Sequence, residues 1–582
     1  LGTGQFVGSL GASLEILGTT NSTISFDQSN PSVTNVLQNL TLSGTGSITL
    51  ANQLNISPGT NAGTVVVGTN KTLQTGGYLR LQSDADGTAR IAESGGVISG
   101  AITQERYIPS KWSRKWSFLA CPVSQSLATA WQQQIHITGP GTGGSMCTNY
   151  TNAGSMLKHS NGFDVTQTQN PSFYTYDALA DNFIPNTNGT NSFTLTPGEG
   201  YMVLVRGDRN DPTNGGCALL AADDQAQNSA IPVVLSAKGI VGQGTISKTL
   251  LPGYNLVGNP YPCELDFTDF VSDVSNSSLI ENKYWTYYPT SSNYTFSTYS
   301  AGTSINDATP QIANGQSFLV HNLLNAPVSI SFKEAHKSGI VENGNFKINK
   351  EWKERVRVKL LNQQAIRLDE IVIRFSVDSF KSDQLNALDV VSLNQGDQWI
   401  QSRKDTTALA IQTRSNLFLN DTISLTVHAK NAGHYSLDFS EYQGLSNAEI
   451  YLLDHQESLI QDIKALPSYA FNAAANTTSA NRFQLLFKAL PNNISSHFAH
   501  NLCLVYPNPA KELLVIDASN MSPGAYQIKL RNSTGHVVLE ESGFYENGNK
   551  IELSLRELQI GMYTLELMQQ NGARWNQKVV KY

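Results

Sequence analysis

Charge is scarce in this chain: 15% of its 582 residues are Asp, Glu, Lys or Arg, and 39 basic against 46 acidic residues leave a formal charge of −7. So dilute a balance has no electrostatic footprint for phosphates, which argues against DNA or RNA as a partner. Long apolar runs are missing too. Hydrophobic residues make up 40% of the chain, yet no stretch approaches the roughly 18 needed for a membrane-spanning helix, so no transmembrane segment is expected. The ten histidines are scattered. The spacings that gather nucleophiles, bases or metal ligands, H-E-x-x-H, G-x-S-x-G and C-x-x-C, do not occur. No catalytic, cofactor or metal residues are assigned, and no enzymatic activity is expected. Paired acids for glycoside cleavage remain open, because sequence distance does not set carboxylate separation in a β fold.

What is abundant is turn chemistry and short alternation. The length exceeds one core and calls for about four domains. Residues 1–104 are rich in Gly, Asn, Thr and Ser, with alternating pairs at Leu40/Leu42, Ile48/Leu50, Leu54/Ile56, Val65/Val67 and Leu79/Leu81. Strands so short suit a β-solenoid of β-helix type, in which each rung buries its inward side chains on the next, although their spacing is irregular.

Near Arg106-Tyr107-Ile108-Pro109 aromatic residues rise, with Trp112, Trp116, Phe118, Trp131, Phe173, Tyr174 and Tyr176. Residues 105–340 are expected to form a β-sandwich-like domain, with Ser126 to Gln134 as its one short helix. Residues 341–490 carry more charge and alternate at Arg355 to Leu360 and Ile371 to Phe375, which predicts a second sandwich. A polar linker at 491–501 precedes a last module at 502–582. The fold class is therefore all-β.

Several motifs invite chemistry and yield to plainer readings. Gly139 to Gly144 lacks the Lys-Ser/Thr of a phosphate-binding loop. Asp84-Ala85-Asp86-Gly87 opens like a calcium loop but has no closing Glu at the required offset. Arg206-Gly207-Asp208 directly follows a strand, where Gly207 simply makes the turn. The dense aromatic cluster from Tyr284 to Tyr299 includes Trp285 and Tyr287, whose rings, if exposed on a strand face, would stack on sugars.

The closing module is the most legible part. Tyr506-Pro507-Asn508-Pro509 loses two backbone donors and is extended before a strand at Leu513 to Ile516. Alternation follows at Tyr526/Ile528/Leu530, Ile551/Leu553/Leu555 and Tyr563/Leu565/Leu567, then an Asn571-Gly572 turn and a final Lys578-Val579-Val580-Lys581 strand. Together with Gly524 before the Tyr526 strand, a turn at Asn532 to Gly535, and Gly561-Met562-Tyr563, this order resembles the type A C-terminal sorting domain of Bacteroidota type IX secretion cargo. The resemblance covers the whole module. It implies recognition by an outer-membrane translocon and shuttle barrel, removal by a sortase, and attachment to surface lipopolysaccharide. Tyr506 to Pro509 and Lys578 to Lys581 are the recognition elements it points to, and cleavage is expected between Pro491 and about Asn501.

Export permits disulfides among the five cysteines, with at least one left unpaired. Cys147 with Cys217 and Cys121 with Cys263 is one pairing; the alternative is that all are small buried hydrophobes. Asp405-Thr406-Thr407 and Asp421-Thr422-Ile423 resemble the acceptor used for O-glycosylation in Bacteroidota, which implies Thr406 and Thr422 as acceptors. Arg106 to Pro109, Tyr254 to Pro262 and Tyr435 to Asp454 resemble modules of large, adhesin-like Bacteroidota surface proteins. The chain starts inside repeat-like sequence without a signal peptide, so it is expected to be the end of a larger protein. It reads as a non-enzymatic, adhesin-like surface protein; the rival is an accessory or glycan-binding region of a secreted hydrolase whose catalytic domain lies upstream.

Overall fold

A computed structural model describes residues 4–59, 63–110, 114–146, 158–210, 220, 232–289, 294–339, 352, 354–376, 384–393, 396–415, 421–445, 448–489, 504–518, 523–532, 534–546, 550–569 and 574–582. They form two compact units, Leu1–Ala489 and Leu490–Tyr582. In both, nearly all the regular secondary structure is strand. The expected linker, the cleavage region and Cys147, Cys217 and Cys503 lie outside the described residues.

The first unit begins as a three-sided parallel solenoid. One side stacks Ser13–Ile16, Asn39–Leu42, Thr64–Val67 and Arg90–Ile91; a second stacks Ser22–Ile24, Gly46–Leu50, Lys71–Gln74 and Val97–Ser99. Consecutive apolar pairs are unevenly spaced along the chain, but pairs one rung apart recur at a near-constant interval. Partners on these sides, such as Ser13 with Asn39 and Leu40 with Val65, are 26 or 25 residues apart. Only the third side breaks the period, with Val36 paired to Asn55 and Leu79 to Ile102. Leu40, Val65, Ile48, Leu73, Leu54 and Leu79 are buried within, which is how strands of two to five residues become stable. At one corner the buried Lys71 donates to the carbonyls of Gly18 and Thr45, each at 2.7 Å, replacing water for two turns.

The texture change at Arg106 is not a boundary of this core. Ala101–Ile108 is the last rung of the third side and pairs along its length with the antiparallel strand Val233–Ile240. The apolar cluster started by the solenoid runs on through Val123, Trp131, Phe163 and Val203 to Val241. The expected helix at Ser126 to Gln134 is reduced to a single 3₁₀ turn at Trp131–Gln133. An α-helix forms instead at Phe267–Ser272, where the Asp266 carboxylate accepts from the amides of Thr268 and Asp269. Aspartate at that position satisfies amides with no intrahelical partner.

Cys121 and Cys263 are both free, which corrects their suggested pairing. Cys121 belongs to the solenoid cluster and Cys263 to a separate core around Phe267, Phe270 and Phe318. Burial pushes each thiol up to about 12, so neither is a ready thiolate.

The aromatic strands Lys283–Pro289 and Tyr294–Ser300 lie in a five-stranded sheet with both faces covered. Tyr284 and Tyr299 pack on Phe267 on one side. On the other, Tyr287 meets Phe118 at 4.0 Å between ring centroids, and Trp285 donates its indole N–H to the carbonyl of Val391. Beyond them, a twelve-stranded, mostly antiparallel sheet between Arg355–Asn362 and Thr477–Ala489 encloses its own core of Val358, Ile373, Leu425, Leu452, Phe483, Leu485 and Phe487. The last three alternate along one strand and point to the same side.

Candidate functional site

The second unit is a two-sheet sandwich. Leu504–Tyr506, Leu513–Asp517 and Lys550–Ser554 form one sheet, and Val537–Tyr545, Gly524–Arg531, Gly561–Gln569 and Arg574–Lys581 the other. Leu514, Ile516, Ile528, Leu530, Leu565, Leu567 and Val579 fill the space between them. The alternation in the sequence puts these residues on inner faces.

The two ends of the module, some seventy residues apart, meet in one site. Pro507 and Pro509 have no amide hydrogens, so the segment cannot pair as an ordinary strand. The Asn508 side chain substitutes for a peptide group: its Nδ2 donates to the carbonyl of Lys578 at 2.6 Å, and its Oδ1 accepts from the amide of Val580 at 2.9 Å. Backbone pairing resumes one step later, where Ala510 donates to the carbonyl of Val580 at 2.8 Å and accepts from the amide of Tyr582 at 3.1 Å. Lys581 closes the arrangement from within. Its ammonium donates to the carbonyls of Leu555, Arg556 and Leu558, holding the turn before Gly561.

Exposure divides the recognition elements into two groups. Tyr506, Pro507, Asn508, Pro509 and Lys578 face outward, with Tyr506 39% exposed and the Lys550 ammonium 5.3 Å above its ring. Val579 and Lys581 point inward, and Val580 is half-buried. Tyr563 is a core residue whose hydroxyl donates to the carbonyl of Gln559 at 2.6 Å. Gly524 has a φ of 157°, whereas a Cβ at Gly561 would meet only the Tyr563 ring, at 4.0 Å. The sequence motifs mark these positions without revealing that Asn508 links the two ends. The available signal was an amide side chain between two prolines.

Replacing Asn508 with alanine removes both side-chain bonds. It is expected to destabilise the isolated sandwich by about 1–3 kcal/mol, read as a lower urea midpoint for a fragment containing the module. A midpoint equal to that of the parent would mean that the latch adds no stability.

Candidate sites in the first unit fare differently. Trp285 and Tyr287 are 1% and 9% exposed, which corrects their assignment to glycan stacking: alternation exposes a ring only where one sheet face is open, and here both are packed. Arg206 is buried and donates to the Thr138 hydroxyl, so the Arg-Gly-Asp tripeptide is not displayed as a unit. Asp84 to Gly87 is a tight turn in which Asp84 accepts from the amide of Asp86. Thr406 is exposed in the turn between Gln398–Lys404 and Thr407–Ser415, and Thr422 is exposed on Asp421–Ala429. Among the described residues no group of three His, Cys, Asp or Glu side chains is placed to hold a metal ion, and no helix is long and apolar enough to cross a membrane.

The module is thus a terminal sandwich whose two end motifs are bonded to each other, with Tyr506 to Pro509 and Lys578 exposed. Residues 504–582 match the family model for a secretion system C-terminal sorting domain. The chain is type IX secretion cargo, destined for the cell surface or the extracellular space. Residues 142–487, more than half of the chain, match a domain of unknown function (DUF8693), and the chain belongs to that family. No curated protein matches it. Among solved structures, dimeric latent PorU from Porphyromonas gingivalis is 12% identical over 58% of this chain and 34% of its own, with a TM-score of 0.13.

Proposed function

We propose that residues ahead of the sorting module are non-enzymatic, adhesin-like freight for the cell surface, and that the latch face is what the export machinery reads. The observation carrying this reading is the outward display of Pro507, Asn508, Pro509 and Lys578, residues whose side chains the core does not need. The translocon and shuttle barrel hold the folded module at this face or at the free edge of Val537–Tyr545, which pairs only with Gly524–Arg531 among the described strands. Edge backbone groups and the exposed Val537, Val538 and Phe544 favour such docking. Sortase cleavage and attachment to lipopolysaccharide then follow. Thr406 and Thr422 are the acceptors for O-linked glycans in this reading.

Residues 502–582 fused to an inert reporter should deliver it to the surface of a type IX-competent cell. Retention of that fusion in the periplasm would overturn the signal reading. Turnover of a glycan by the present chain would favour the rival, a region belonging to a secreted hydrolase.

A further inference from the structure

Gln104 stands where a hydrophobic residue is expected. It continues the buried column of Ile56 and Leu81 on the third side of the solenoid, since Ile56 pairs with Leu81 and Leu81 with Gln104. The side chain is 4% exposed, and its Nε2 is committed to the carbonyl of Glu105 at 2.7 Å. That bond fixes the amide's orientation and leaves Oε1 buried without a donor. Asn314, 1% exposed, likewise has a buried Nδ2 without an acceptor. Both residues line the same cavity with Arg106, Cys121 and Trp131, and it has about 10 Å³ for the centre of a water-sized sphere.

We infer that one internal water molecule occupies this cavity, accepting from Asn314 Nδ2 and donating to Gln104 Oε1. Space for a single water and two polar partners of opposite type are the conditions for such a site. A chloride ion would satisfy the Asn314 donor but face the Gln104 carbonyl oxygen, whose partial charge has the same sign. A water supplies both polarities. It would join the last solenoid rung to the Asn314-Gly315 turn, whose Gly315 carbonyl already accepts from the Ala120 amide at 2.9 Å. The solenoid and the aromatic region behind it would thus share a hydrogen-bonded joint as well as an apolar core.

A high-resolution crystal structure of the chain should show one isolated, well-ordered peak about 2.7–3.2 Å from both atoms. No peak at that position, or an anomalous peak there after a bromide soak, would overturn the inference. A second measurement uses Gln104→Met, Asn314→Leu and the double variant. Each single change strands the opposite partner, so the double variant should lower the thermal midpoint by less than the two single shifts combined. Strictly additive shifts would count against a shared water.

Discussion

Deleting Lys578–Tyr582 should reduce surface delivery to background while leaving the first unit folded. The expectation follows from the register of the last strand. Truncation removes the pairing of Lys578, Val579, Val580 and Lys581 with Thr564, Tyr563, Met562 and Gly561. It also removes the fully buried Val579, a side chain whose burial is worth about 1.5–3 kcal/mol, and frees the carbonyls held by Lys581. Asn508 then has nothing to bridge. Surface labelling of cells, compared with total protein, measures delivery. Because truncation can act through misfolding, Lys578→Ala is the companion variant: Lys578 is exposed and its side chain does not fill the core, so this change should lower delivery with an unchanged unfolding midpoint. Normal display of the truncated chain would refute the proposed role of the strand.

The second large effect concerns the first unit. Asp454 is buried and accepts from Arg482 at 2.9–3.1 Å, from the Tyr469 hydroxyl at 2.8 Å and from the amides of Gln456 and Glu457. Burial by itself would raise its pKa, but the hydrogen bonds from Arg482 and Tyr469 prevail and hold it below the usual carboxylate value. The Arg482 guanidinium lies over Phe483 at 4.8 Å. Asp454→Ala leaves the buried Arg482 cation with only the Asn472 carbonyl at 3.0 Å and the exposed Glu457 carboxylate at 3.7 Å, and should cost about 3 kcal/mol, the low end of the range for breaking a buried pair from one side. Urea unfolding followed by intrinsic fluorescence tests it. A loss below about 1 kcal/mol would place the pair among exposed bridges. Linkage gives the sign with pH: a depressed carboxylate pKa contributes stability above the unfolded value, and that contribution disappears as pH falls through the folded value.

How much could be seen beforehand depended on the range of the interactions. Alternation at Leu40/Leu42 or Tyr563/Leu565/Leu567 is a local property, so strands and their inward residues were legible. The solenoid's 25-residue offset is present in the apolar letters, since Leu40/Leu42 recur at Val65/Val67 and Leu54/Ile56 at Leu79/Leu81; the uneven spacing of consecutive pairs concealed it, because each rung has three sides separated by turns of unequal length. The sorting motif was legible as a pattern, but its latch was not. Asn508 and Val580 are distant in sequence, and nothing local requires the amide to serve both neighbours.

The amino-acid order alone determined that this protein is all-β, that its terminal module carries an export signal, and that its aromatic strands alternate. Tertiary structure decided which faces those alternations present. Trp285 and Tyr287 became core because a second layer covers their sheet, Cys121 and Cys263 remained thiols because they joined different cores, and Lys581 turned inward because three carbonyls needed a donor. Burial and pairing depend on what packs from elsewhere in the chain, and that information is not contained in any local stretch.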